Sequence, residues 1–323
     1  MIVMLFIAIA AGCASALMFA SMISGAMISL LLFWLAPLPL MMAGLGWGPL
    51  TASIGGIAAA LGLGAIFGLS YCITFVIMVA LPAWWLGYLA LLGRPVAEPS
   101  PTGGPAPATA NLEWYPVGRI LLWIAGFAVL TTMAALLTLG TDAASIAGAM
   151  KRGLMRVLDS RMVTASADME RVVDAMVAVA PLAAVIVTMI SLTINLWLAT
   201  LITATSGRLR RPWPELRATA LPAMTLVASC VAIAFCFTSG LLAILAQVTT
   251  TALMAAYALT GFAVLHTVTQ SLNSRTLWLS CAYAVVVIFT WPVMAMVVLG
   301  IADALFGLRQ RYLRTRPPPL PAS

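Results

Sequence analysis

Three polar side chains lie inside long apolar stretches, where hydrogen-bonding or ionisable groups could do chemistry. His266 is the only histidine, and Gln270 and Asn273 follow it at helical spacing. An imidazole there could carry a proton or bind a solute. The alternative, favoured by a position near the end of the apolar segment, is a histidine that is hydrogen-bonded or lies at the membrane interface. Asn195 stands in TINLWLA and Gln247 precedes three threonines, so either could line a polar cavity or hydrogen-bond a neighbouring helix. Asn195, Gln247 and His266 are therefore the candidate solute-binding residues.

Small residues recur every four positions in two segments. The first run is Ala8, Gly12, Ala16 and Ala20, and the second is Ala52, Gly56, Ala60, Gly64 and Gly68. A spacing of four places side chains on one face of a helix, where small residues let another backbone approach closely. The runs predict helix-packing faces, either within one bundle or against a separate membrane protein.

Arginines are concentrated in the segment SGRLRRPWPELR, which starts at Ser206. They are Arg208, Arg210, Arg211 and Arg217, and Trp213 lies among them. Short basic loops beside aromatic residues usually set the orientation of membrane proteins. Contact with anionic lipid headgroups is the alternative interpretation.

Motifs of common enzymes and pumps are absent from the sequence. It contains no G-x-x-x-x-G-K-[ST], H-E-x-x-H or G-x-S-x-G, and its single histidine makes a Ser-His-Asp triad improbable. The five cysteines lie in apolar segments without a C-x-x-C pair, which favours packing over a disulfide or metal framework. We expect no enzyme activity, cofactor or metal.

Composition excludes an ordinary soluble protein. Hydrophobic residues make up 63% of the 323 residues and charged ones 8%, and no charged side chain precedes Arg94. Charges at a bilayer centre cost about 2.5–3.5 kcal/mol each, so this avoidance indicates membrane insertion. The first twenty residues lack Lys and Arg, which predicts a retained first helix rather than a cleaved signal peptide. The net charge of +7 fits the positive-inside bias, and no nucleic-acid partner is expected.

Windows of about twenty apolar residues predict the membrane spans. They fall at 2–23, 27–45, 50–68, 71–92, 120–139, 176–203, 221–239, 241–269 and 277–302. Prolines interrupt the run between Met27 and Leu92, so one span there could be re-entrant. The predicted fold is an all-α, polytopic transmembrane helix bundle of about eight or nine spans.

Two polar segments divide the chain. Residues 1–93 hold the N-terminal hydrophobic helices, 94–112 form a Pro-rich linker, and 113–323 hold the C-terminal helices. Within the last part, 140–175 is a charged segment with apolar residues at helical spacing. It predicts either an interfacial amphipathic helix or a solvated helical hairpin.

Counting positive charges does not choose an orientation if the chain crosses nine times. Seven arginines then share one face, and the opposite face collects nine basic residues, including Arg309, Arg311, Arg314 and Arg316. Either a span after Arg217 is miscounted or the bias is weak. Because outer membranes use barrels, we expect a multi-pass protein of the bacterial cytoplasmic (inner) membrane, in contact with membrane lipids.

Several strings give the chain a family resemblance. They are LAPLPL from Leu35, LPAWWLGYLALLGRP from Leu81, EWYPVGR from Glu113, SGRLRRPWPEL from Ser206 and GFAVLH from Gly261. Together they resemble the YybS-like predicted membrane proteins, a domain-of-unknown-function family, over most of the chain. The chain is more distantly similar to the substrate-binding subunits of energy-coupling-factor transporters. That similarity implies that Ala8, Gly12 and Ala16 dock a coupling subunit, although those proteins have six helices.

Two functions fit these observations. The first is a membrane protein that binds or passes a small solute, with a partner that supplies energy, because a few polar residues stand inside a nearly uncharged bundle. The second is a non-transporting scaffold or regulatory subunit, because small-residue faces and charged external segments suit assembly with other membrane proteins. An intramembrane enzyme acting on lipid would rest on His266 and the interfacial arginines alone.

Overall fold

The computed structural model describes residues 2–96, 111–159, 167–213, 219–271, 274–289 and 291–314. Its helices are α1 Ile2–Ala20, α2 Met27–Leu35, α3 Pro37–Trp47, α4 Pro49–Phe67, α5 Leu69–Phe75, α6 Leu81–Ala90, α7 Val117–Leu137, α8 Ala143–Asp159, α9 Ala167–Thr205, α10 Met224–Phe235, α11 Gly240–Val268, α12 Arg275–Phe289, α13 Pro292–Phe306 and α14 Leu308–Arg314. A π-helical turn, Val76–Ala80, joins α5 to α6. Short 3-10 turns follow α1 at Ser21–Ser24 and α11 at Thr269–Ser271.

The prediction of an all-α membrane bundle is confirmed. Seven apolar helical stretches in the described part of the chain are long enough to cross a membrane. They are Ile2–Ser24, Met27–Trp47, Pro49–Phe67, Leu69–Ala90, Val117–Leu139, Asp168–Thr205 and Gly240–Val268. Three apolar helices, α10, α12 and α13, are shorter. The predicted window 277–302 contains two helices instead of one. Helix α12 ends at Phe289, and α13 begins at Pro292, because proline suits the first position of a helix and not its interior.

The chain forms two compact units. Unit 1 comprises Met1–Thr131 and Val187–Pro214, and unit 2 comprises Thr132–Ile186 and Glu215–Ser323. The boundary falls inside α7 and inside α9, so each of these helices contributes to both units. Of the predicted linker only the two ends are described. They pair as antiparallel strands, β1 Gly93–Val96 and β2 Asn111–Trp114, and the remainder of the linker lies outside the described residues.

Small residues bring α1 and α4 together in unit 1. A Cβ atom added at Gly12 would collide with the backbone carbonyl of Gly55, and one added at Gly55 would collide with the carbonyl of Ala8. Ala8 is fully buried and Ala52 nearly so. The backbones therefore pack directly, which supplies dispersion contacts where lipid provides no hydrophobic driving force between helices.

Helix α8 and the start of α9, both in unit 2, carry a group of charged residues outside the apolar spans. Helix α8 is amphipathic and buries Ile146. Its Lys151 ammonium lies 2.7 Å from the Asp174 carboxylate of α9, so the two helices form a hairpin. The 39 residues of α9 extend about 58 Å, nearly twice the thickness of the hydrocarbon core of a bilayer. Its charged first turns can therefore remain in water while its apolar remainder crosses.

Candidate functional site

Asn195 lies in unit 1 beside the break between α2 and α3. Its amide nitrogen donates hydrogen bonds to the carbonyls of Trp34 (2.7 Å) and Ser191 (2.8 Å), and the Ser191 hydroxyl donates to the same Trp34 carbonyl (2.8 Å). The Ser15 hydroxyl of α1 donates to the carbonyl of Ala36. These donors satisfy carbonyls next to a proline-interrupted helix, as membrane proteins require. The Asn195 carbonyl oxygen is buried without a hydrogen-bond partner among the described residues.

The basic loop after α9 packs onto one end of unit 1. The Arg208 guanidinium lies 4.6 Å from the ring centre of Trp47, a cation–π contact. Arg211 donates to the carbonyls of Ala90 (3.2 Å) and Tyr115 (3.1 Å), and burial lowers the pKa of its guanidinium. These contacts gather the ends of α3, α6 and α9 and the start of α7 on one face.

The four predicted orientation or lipid arginines differ in their surroundings. Arg208 and Arg211 contact the protein, as just described, whereas Arg210 is exposed. Arg217 lies outside the described residues. Lipid contact by these arginines stays a prediction.

His266 lies near the end of α11 in unit 2. Its Nε2 atom is 2.7 Å from the hydroxyl of Tyr283 on α12, and the Tyr283 ring stacks on Phe262 with 5.4 Å between ring centres. The histidine therefore ties α12 to α11. Gln247 is exposed on the same helix, nineteen residues earlier, or roughly 28 Å along the axis. Asn195 belongs to unit 1, whereas Gln247 and His266 belong to unit 2. The solute-binding role of the three residues stays a prediction.

A buried polar cluster between α10 and α11 was not predicted from the sequence. Tyr257 of α11 is fully buried, and Thr225 and Ser229, one turn apart on α10, are 5% and 4% exposed. The hydroxyls of Tyr257 and Thr225 have no hydrogen-bond partner among the described residues. Ser229 lies beside the Tyr257 hydroxyl without the geometry of a hydrogen bond, and its own proton goes to the Thr225 carbonyl (2.8 Å). We name these three residues the hydroxyl cluster.

The position of Thr225 explains its free hydroxyl. A threonine inside a helix usually donates to the carbonyl four residues earlier, as Thr267 of α11 does to Ala263. Thr225 is the second residue of α10, so the carbonyl four residues before it precedes the helix. The spacing of Thr225 and Ser229 was visible in the sequence, but whether each hydroxyl finds a partner depends on the neighbouring helix.

Most residues of the two predicted small-residue runs pack against neighbouring helices, and one lies in a turn. Ala8 and Gly12 face α4, and a Cβ at Gly56 would lie 3.3 Å from the Cβ of Ala80. A Cβ at Gly64 would lie 3.1 Å from the Cβ of Cys72, whereas Gly68 has a positive φ of 92° between α4 and α5. Ala16 and Ala20 are partly buried, and Ala52 and Ala60 are buried. Most of these contacts are internal to unit 1.

The chemistry available at these sites is hydrogen bonding by neutral groups. No cluster of three His, Cys, Asp or Glu side chains that could hold a metal occurs within the described ranges. The buried ion pair of Asp303 and Arg309 joins α13 to α14 through bonds of 2.6 and 2.8 Å. We assign this ion pair a structural role, because the Asp303 carboxylate accepts hydrogen bonds from the guanidinium and from the backbone N–H of Arg309.

Comparison with known proteins found no matching family model, curated protein or solved structure. The resemblance to the YybS-like membrane proteins therefore stays a prediction.

Proposed function

We propose that this multi-pass membrane protein binds a small uncharged solute at the hydroxyl cluster of unit 2, in the cytoplasmic membrane of a bacterium. The observation that carries the proposal is the pair of buried hydroxyls, Tyr257 and Thr225, without hydrogen-bond partners among the described residues. Leaving a buried polar group unsatisfied costs about 1–3 kcal/mol, so a ligand that hydrogen-bonds both groups would recover that free energy.

The surroundings of the cluster favour a neutral ligand. Tyr257 packs with Ala258 and Val297, and Leu226, Met254 and Val293 surround them. An ion placed among these apolar side chains would lose its hydration without a compensating charge, whereas a hydroxyl or carbonyl compound needs only donors and acceptors. An ordered water is the simplest neutral occupant, and the experiment must separate it from a solute.

Thermal unfolding of the purified protein in mild detergent tests the proposal. We would add glycerol, glucose, thymidine and riboflavin as uncharged solutes, and citrate and glutamate as charged ones. A solute at a hundred times its Kd stabilises the folded state by about 2.7 kcal/mol. We expect an uncharged compound to raise the Tm of the wild type and not that of the Thr225→Val/Tyr257→Phe double variant.

The control variant is Tyr283→Phe, which removes a phenol hydroxyl at the α11–α12 contact instead. It should keep the solute-dependent shift in Tm. If none of the uncharged solutes shifts the wild type, or if the double variant shifts equally, the proposal is wrong and the hydroxyls hold water or nothing.

A scaffold or regulatory subunit is the second candidate function. It is favoured by the α8–α9 hairpin, whose exposed charged side chains, Arg152, Glu170 and Arg171 among them, offer a surface outside the bilayer for a protein partner. The docking role implied for the first helix is less suited to this purpose, because Ala8 and Gly12 already face α4. A stoichiometric partner without a bound solute would favour this candidate.

A further inference from the structure

Unit 1 carries a strong excess of positive charge. Among its described residues five side chains are basic and one is acidic. The acidic one, Glu113, lies 2.6 Å from Arg94 and forms an exposed ion pair with it. Four arginines are left without an acidic partner among the described residues of the unit, namely Arg119, Arg208, Arg210 and Arg211. This excess of charge is available to an anionic partner.

Three of these arginines belong to the loop after α9, which packs at one end of the spans of unit 1. Arg208 lies against Trp47, where one span ends. Arg211 contacts Ala90, where another span ends, and Tyr115, which lies just before α7. The ends of membrane spans lie at the level of the lipid headgroups, where tryptophan and tyrosine are enriched. The loop therefore lies at the membrane interface.

The guanidinium of Arg211 lacks a counter-charge among the described residues. It is partly buried, and two of its five N–H groups donate to the carbonyls of Ala90 and Tyr115. Those carbonyls are neutral, and the Trp114 ring, centred 6.0 Å away, offers only its π face. Burial of this charge lowers the pKa of Arg211, and no acidic group opposes the shift. A phosphate would supply the missing charge and accept the remaining N–H groups.

We propose that Arg208, Arg210 and Arg211, here called the arginine patch, bind the phosphate of an anionic lipid. Guanidinium groups match the geometry of phosphate oxygens, because they donate two parallel hydrogen bonds. A lipid fits better than a free phosphate, because exposed apolar side chains lie close to the patch. Trp213 of the same loop is 46% exposed, and Leu112 of the neighbouring β2 is 51% exposed. These side chains suit the boundary between headgroups and acyl chains.

Lipid titration of the purified full-length protein in dodecyl maltoside tests this proposal. Phosphatidylglycerol, which is anionic, is compared with phosphatidylcholine of the same acyl chains, which is zwitterionic. Inorganic phosphate represents the free anion. Native mass spectrometry counts the bound lipids and gives the Kd of each. We expect a Kd for phosphatidylglycerol about tenfold lower than for phosphatidylcholine, without competition from inorganic phosphate at the same concentrations.

The variant Arg208→Gln/Arg210→Gln removes two charges and keeps Arg211, whose carbonyl contacts hold the loop in place. An arginine close to an anionic headgroup strengthens binding about fivefold, so the Kd for phosphatidylglycerol should rise about thirtyfold. Arg152→Gln/Arg156→Gln is the matched control, because it removes two exposed arginines from α8 and should leave this Kd unchanged. Should the patch variant fail to accumulate, Arg210→Gln alone, at an exposed position, should raise the Kd about fivefold.

Three results would overturn the proposal. An equal Kd for the two lipids would show that the patch does not recognise the anionic headgroup. An equal loss of affinity in the α8 control would assign the effect to net charge, and competition by inorganic phosphate would show a site for free anions. The outcome is independent of the proposed solute site, because the Thr225→Val/Tyr257→Phe variant changes unit 2 and should bind phosphatidylglycerol as the wild type does.

Discussion

At the scale of single residues, small side chains determine how closely the helices pack. The sequence spacing identified Ala8 and Gly12 on one face, but the residue of α4 that Gly12 contacts is Gly55, which is outside the run of every fourth residue. A straight helix has 3.6 residues per turn, so a contact face alternates between spacings of three and four. The spacing therefore predicts that a seam exists, whereas the exact partner depends on how the two helices cross.

Replacing Gly12 by Ala should destabilise unit 1. The added Cβ would collide with the Gly55 carbonyl, and an overpacked core typically loses about 1–3 kcal/mol. Thermal unfolding in mild detergent and the yield of monodisperse protein measure the effect. Gly62→Ala on α4 is the matched control, because nothing lies within 4 Å of its added Cβ, and alanine favours a helix over glycine by about 1 kcal/mol. Equal melting of the two variants would contradict the close α1–α4 contact.

At the scale of helices, proline did not by itself predict where a helix ends. Pro181 lies inside the continuous α9, whereas Pro292 begins α13 after a break. A proline lacks the N–H and places its ring against the preceding turn at either site, so the neighbouring contacts determine whether the helix continues or ends there. The sequence alone therefore predicted a single span at 277–302, where the structure has two helices.

The first turn of α8 should depend on pH. Asp142 accepts a hydrogen bond from the backbone N–H of Ser145 (2.9 Å), and this bond lowers the pKa of the Asp142 carboxyl below its ordinary value. The pKa of Asp142 is therefore lower in the folded state than in the unfolded state. Its contribution to the stability of the helix is fully present above the unfolded-state pKa, and it is lost as the pH falls through the folded-state pKa. We expect protection of the Ser145 and Ile146 amides to fall below about pH 4.

Hydrogen–deuterium exchange, corrected for the intrinsic rate at each pH, measures this protection. Asp142→Asn is the control, because asparagine caps a helix about as well and does not titrate. The variant should keep its protection through the same pH range. An identical loss in both proteins would assign the effect to other groups.

At the scale of the whole molecule, composition predicted the class of protein and left the site unidentified. Membrane insertion follows from the hydropathy of about twenty consecutive residues, which is a property of each segment alone. The hydroxyl cluster depends on which helices meet. Neither Tyr257 beside Ser229 nor Gly300 beside Tyr257 can be read from spacing along the chain.

The central claim, that the bundle holds a small uncharged molecule at the hydroxyl cluster, is tested most directly by purification from native membrane in mild detergent. Mass spectrometry would then identify both the retained small molecules and the co-purifying proteins. We predict an uncharged molecule bound to the wild type and to Tyr283→Phe, and absent from the Thr225→Val/Tyr257→Phe variant. A stoichiometric protein partner with no retained molecule in any of the three would contradict the claim and favour a scaffold.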